Sequence, residues 1–311
     1  MKKEKLSPSR KFNLANKNFK NVFYNKQLLH RKKFKYLDDW VLQKSFYLIN
    51  NNKAYKNNKK IYKRGALVNV DFGVNVGAEL SGNHFAIVLN KNDNCRNDKI
   101  TVIPLSSHKH PHCIELVDTI RSTSIDKMRN IYIEILAILH ANYINIHKDI
   151  NETYQILESA KQNIYKISKD NNYIIDLGPL PIKPIVIDPF KLNTLISESL
   201  IEKAKKFYYK YGNSEDLFNK TKKIGNRKLS DLILDDLKGN NNKTLQLLKE
   251  VSEMYDRYGK TTYAKIEDIT TISKMRIRKI NIFDPVGDMI VSDIVLDKIE
   301  QEIKICFFKK Q

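Results

Sequence analysis

The sequence predicts an α+β protein: a β-rich core interrupted by a helical insertion and preceded by a basic N-terminal extension. Three observations lead there. Period-2 and short continuous apolar segments lie at about 64–105 and again at 261–282, whereas the stretch between them is helical by period. The most legible segment, "RGALVNVDFGVNVGAELSGNHFAIVLNKNDN" (64–94), holds two apolar runs separated by a glycine-bearing loop that ends on a histidine. Charge is also unevenly placed. The chain of 311 residues carries a formal net charge of +20, but residues 1–65 hold 19 Lys and Arg against 3 Asp and Glu.

Taken in order, the basic, aromatic-dotted segment 1–32 reads as weakly structured. In "KYLDDWVLQKSFYLI", Leu37, Trp40, Val41 and Leu48 share a helical face, which predicts a helix near 34–50. "GALVNVDF" alternates Leu67 and Asn69 with Val68 and Val70, as a half-buried strand does, and "FAIVLN" is a central strand. "KITVIPL" is a third strand that should end or bulge at Pro104, because proline cannot donate to a ladder. "SSHKHPH" then falls on a loop at the sheet rim. From Ile125 through Met128, Tyr132, Ile135 and Leu139, heptad-like spacing predicts one long helix or a helical hairpin, with a stutter before the pattern resumes toward Ile167. "NNYIIDLGPLPIKPIVIDPF" reads as a strand and an extended connector; further helices follow at 191–211 and 228–258. Tyr263, Lys265 and Glu267 alternate with Ala264, Ile266 and Asp268 as a late strand, and a closing helix begins near Ser292 or Asp293.

Composition narrows the function classes. Hydrophobic residues make up 41%, enough for a packed core. Three cysteines without a CxxC pair argue against a disulfide framework and a zinc knuckle. The first residues lack the apolar core of a signal peptide, and the best apolar run, "IYIEILAIL", is short and contains Glu134, so the expectation is a cytoplasmic protein with no membrane span. The basic N-terminal segment is either a polyanion-binding arm, adding stacking on Phe12, Phe19, Phe23 and Tyr24, or a solvated leader.

"YKRGALVNVDFGVNVGAELSGNHFAIVLNKND", "VIPLSS" and "TYAKIEDITTISKMRI", in that order, resemble the successive signatures of the MazF/PemK toxin family, the mRNA interferases of type II toxin–antitoxin systems. The matches cover about a quarter to a third of the chain. The resemblance implies an SH3-like MazF/PemK β-barrel with a large helical insertion and a basic N-terminal extension. The barrel and closing helix would take 61–120, 172–188 and 259–311, and the insertion 121–171 and 189–258, after an extension over 1–60. It further implies a homodimer that cuts single-stranded RNA sequence-selectively, without cofactor or metal, arrests growth, and is held by a cognate antitoxin. The position of the family's catalytic arginine is occupied by His84, that of its threonine by Ser106, followed by Ser107, and Ala66 replaces the acid of the opening motif.

The residues themselves support a chemistry. Cleaving RNA through its 2′-hydroxyl needs a base, an acid and donors to the phosphorane oxygens. An imidazole suits proton transfer near neutrality, so His84 is the expected acid–base group and Ser106 and Ser107 the phosphate donors. The competing readings are a satisfied strand-edge histidine and strand-end capping serines. The loop 73–83 is expected to close over RNA, with Gly77, Glu79, Ser81 and Asn83 as contacts. His108 is a second acid–base candidate, and Lys274 and Arg276 are expected phosphate contacts. His108, His110 and His112 beside Cys113 have zinc-like spacing, but Pro111 and the loop setting argue against a metal there. The alternative function is a non-catalytic toxin of the same barrel that binds DNA gyrase, or an inactive RNA- or antitoxin-binding module.

Overall fold

The computed structural model describes residues 6–28, 31–54, 60–170, 198–239 and 243–308. The chain divides into two compact units, Met1–Lys127 with Glu250–Gln311, and Met128–Lys249. The predicted return of 172–188 to the core lies outside the described residues.

The first unit opens with a helix that the sequence reading missed, α1 (Pro8–Tyr24). Its start signal is local: Ser7 accepts from the Arg10 amide, and Pro8 stands at the first helical position, where a missing N–H costs nothing. A 3-10 turn over Lys32–Tyr36 leads into α2 (Leu37–Ala54). The inward face of α2 is Leu37, Trp40 and Tyr47; Val41 and Leu48, expected to share it, are exposed.

The sheet is antiparallel. β1 (Leu67–Asp71), β2 (Asn83–Val88) and β3 (Lys99–Ser106) form its centre. β4 (Cys113–Glu115) lies at one end. β1 is not half-buried as its alternation suggested: Leu67, Val68 and Val70 are all buried. Beyond β2 its outer edge is satisfied by the late chain, with the Leu67 amide donating to Met289 O and the Gly287 amide to Leu67 O.

The second unit holds most of α3 (Ile120–Asp170), a single helix of 51 residues, then α4 (Glu198–Tyr211), α5 (Ser214–Lys220), a small hairpin β5 (Lys223–Ile224) and β6 (Arg227–Lys228), α6 (Leu229–Lys238) and the start of α7 (Lys243–Asp256). Met128, Ile135, Leu217, Leu229, Ile233 and Leu248 are buried. His140 packs edge-on to Tyr208 at 5.3 Å, and burial lowers its pKa, with Lys205 adding to the effect.

Back in the first unit, the predicted late strand is broken. β7 (Tyr263–Lys265) and β8 (Thr270–Ser273) flank a 3-10 turn at Ile266–Asp268, and both pair with β3. The break explains why β3 runs through Pro104, which was expected to stop it. Leu89 donates to Thr101 O, so by the alternation of antiparallel pairs Pro104 sits at a non-hydrogen-bonded position opposite Ala86. Its missing N–H faces the other edge, at the gap between the β7 and β8 pairings. β9 (Ile277–Arg278) pairs with β1, and α8 (Asp293–Phe307) closes the unit, burying Val295, Leu296 and Ile299.

The strand order is β4-β7-β3-β2-β1-β9, with β8 also on β3. The expected barrel closure is not found. The end strands β4 and β9 have three and two residues, pair only with β7 and β1 among the described residues, and leave the sheet open. No described helix is long and apolar enough to cross a membrane.

Candidate functional site

A cleft of about 400 Å³ opens where β2 begins and β3 ends. His84, Ser106, Ser107 and His108, far apart in sequence terms only between the first and the rest, all line it, together with Asn83. The antiparallel pairing of β2 with β3 dictates this: the start of one strand must lie beside the end of its neighbour.

His84 pairs with Val70 on β1, and its ring lies edge-on to Phe72 at 6.3 Å. Its Nε2 is 3.1 Å from Ser81 O. A carbonyl only accepts, so this nitrogen carries the proton. Burial is the largest influence on the ring and lowers its pKa below the ordinary value; hydrogen bonding to the Ser81 and Leu105 carbonyls works the other way, and Lys265 reinforces the lowering. The net result is an imidazole held toward its neutral form.

Ser106 Oγ accepts from the His108 amide at 3.0 Å, a turn that ends β3. Ser107 Oγ and His108 Nδ1 are 3.4 Å apart on the exposed rim. Capping and cleft lining therefore coexist in these serines.

The structure places other expected contacts elsewhere. Gly77, Glu79 and Ser81 belong to the loop but do not line the cleft. That loop is tied down rather than open. Phe72 N–H donates to Gly82 O, Gly82 N–H to Gly73 O, and the Asn75 amide to Ser81 Oγ. The N-terminal extension grips it from outside: Lys33 Nζ donates to the Asn75 and Gly77 carbonyls at 2.8 and 2.6 Å, and Trp40 packs on Gly73.

Lys274 is buried, with its ammonium 2.7 Å from the Asp93 carboxylate and donating to the Lys60 and Asn94 carbonyls. Arg276 donates to the Asp71 and Phe72 carbonyls and lies over the Trp40 ring at 5.2 Å. Both cations are consumed in holding the sheet and the loop base, so neither faces the cleft.

Cations do reach the cleft from residues the sequence reading passed over. Arg257 and Lys260, both exposed, line it from the turn between α7 and β7, with Tyr258 and Thr262. No carboxylate is among the described lining residues. Two cations, four hydroxyls and two imidazoles without an acid among the described lining make a site suited to an anion. The signal that identifies them is register: Ser106 faces Tyr263, so residues just before β7 must flank the end of β3. No protein-family model matches this chain, and no curated protein matches it.

Proposed function

We propose that the chain is a MazF/PemK-like endoribonuclease that cuts single-stranded RNA and arrests growth as the toxin of a toxin–antitoxin pair. The observation that carries this reading is the gathering of His84, Ser106, Ser107 and His108 around one anion-suited cleft. In the proposed reaction the base removes the 2′-hydroxyl proton, the 2′-oxygen attacks phosphorus, and the 5′-oxygen leaves with a proton, giving a 2′,3′-cyclic phosphate and a 5′-hydroxyl. His84, held toward neutrality by burial, is the base. His108 on the rim supplies the proton, and Ser106 and Ser107 donate to the phosphate with Arg257 and Lys260 as counter-charges. The open sheet is taken as the counterpart of the family's barrel, with Gly77, Glu79, Ser81 and Asn83 meeting flanking nucleotides.

The second reading is a module that binds RNA, an antitoxin or DNA gyrase without cleaving. It is favoured by the Ser81 carbonyl that satisfies one His84 nitrogen and by the capping bond of Ser106. Mapping RNA ends after induction separates the two. The nuclease reading expects new 5′-hydroxyl ends with wild type, without added divalent metal, and none with His84→Ala. Growth arrest that persists in His84→Ala while RNA stays whole selects the binding reading.

A further inference from the structure

The loop that carries Ser107 and His108 ends on a second cluster, none of whose members lines the cleft. His112 Nδ1 lies 2.9 Å from Glu302 Oε1, and Cys306 Sγ lies 3.7 Å from the same oxygen. The three potential ligand atoms all fall within 4.8 Å of one another. Glu302 and Cys306 are four residues apart on α8, so they share one helix face, and His112 reaches them from the loop before β4. His112 is the one non-glycine residue with positive φ among the described residues, at 52°. A left-handed backbone is disfavoured for a residue with a Cβ, and here it belongs to the residue whose ring meets α8. The other histidines of "SHKHPHC" do not join: His108 faces Ser107, and neither it nor His110 enters the cluster.

We propose that His112, Glu302 and Cys306 bind a divalent transition metal, with Zn²⁺ the best-matched ion. Imidazole, carboxylate and thiolate are all zinc ligands, and a thiolate in the set disfavours Mg²⁺ and Ca²⁺. Tetrahedral ligands at zinc bond lengths stand about 3.3–3.8 Å apart. The observed separations, 2.9 and 3.7 Å with all three atoms within 4.8 Å of one another, lie close to that range, so small side-chain adjustments bring the ligands together. On binding, the Cys306 thiol gives its proton to solvent, the imidazole ligates as the neutral ring, and one position is left for water. The metal staples the 107–112 loop to α8. None of the three residues lines the cleft, so this inference stands apart from the nuclease reading.

The test uses the full chain freed of metal and offered Zn²⁺ or Co²⁺ alone. One equivalent of Co²⁺ is expected to give a thiolate-to-metal absorption band that Cys306→Ser abolishes and Cys113→Ser retains. Glu302→Gln keeps the side-chain shape and is expected to weaken binding at least about tenfold. Zn²⁺ is expected to protect Cys306 of the wild type from alkylation, read by mass spectrometry, which needs no variant to fold. Absence of stoichiometric uptake, a band that depends on Cys113, or alkylation of Cys306 unchanged by Zn²⁺ would each overturn the proposal.

Discussion

His84 shows what a single position can and cannot reveal in advance. Its place at the start of β2 follows from the apolar run behind it, and the antiparallel pairing brings it to the end of β3. Its burial and its carbonyl partners do not follow, because they depend on the loop and on Phe72. The lowered pKa has a consequence for stability. Below its ordinary value of about 6.5 the unfolded chain takes up a proton that the folded ring resists. The contribution of His84 is therefore present above that pH and is lost as pH falls toward the folded pKa. Thermal midpoints should drop between pH 7.5 and 5.5, and His84→Asn should flatten part of that drop; an identical profile in the variant would refute the assignment. Lys274 and Arg276 lie away from the cleft for the opposite reason. Charge is visible in a sequence, but the carboxylate and carbonyls that consume it are distant along the chain. Lys274→Ala leaves the buried Asp93 carboxylate without its ion-pair partner, and urea unfolding should record a loss of about 3–5 kcal/mol. A loss near zero would return Lys274 to the surface.

At the scale of elements, the strands were legible and their interruptions were not. β1, β2 and β3 announce themselves by apolar runs, whereas the break between β7 and β8 is a backbone event with no Gly or Pro to mark it. α1 carries Phe12, Ala15, Phe19, Val22 and Phe23 at helical spacing behind the Ser7 and Pro8 start signal, but the Lys- and Asn-rich composition around them gives a low mean hydropathy that reads as weakly structured. The loop between β1 and β2 illustrates coupling across elements. Gly73 has φ +77°, and a Cβ there would lie 2.4 Å from the Trp40 ring. Asp71 holds the same corner, accepting from Gly73 N–H and Tyr47 OH and pairing with Arg278. Gly73→Ala should thus combine backbone strain with displacement of the indole, costing about 1–3 kcal/mol. Trp40 is the chain's single tryptophan, so its emission reads the displacement directly. A red shift is expected; unchanged emission with unchanged stability would mean the extension does not grip the loop.

At the scale of the molecule, the first unit is built from chain on both sides of the second, and the alternation of β-rich and helical stretches follows because each segment's period reflects its own packing. Closure of the sheet was not legible, since it depends on end strands too short to carry any period. The two units make different demands on the chain. Every described cleft-lining residue lies in the first unit. The chain leaves that unit and re-enters it at neighbouring points: Arg121 Nε is 2.9 Å from Asp256 Oδ1, and the Arg121 amide donates to Tyr258 O. From there to Lys127 and back to Glu250 each path is about 9 Å of helix. A flexible linker of about twelve Gly and Ser residues bridges that span, so Met128–Lys249 should be removable. The shortened chain is expected to keep a cooperative unfolding transition, since the sheet, α8 and the Trp40 contacts are internal to the first unit. It should also fold faster, because β7 to β9 no longer wait on closure of a long loop before pairing with β1 and β3. Circular dichroism, Trp40 emission and stopped-flow refolding test this together. A chain that loses its sheet on excision would show that the helical unit is part of the fold of the first, and the cleft would then have to be understood as a product of both.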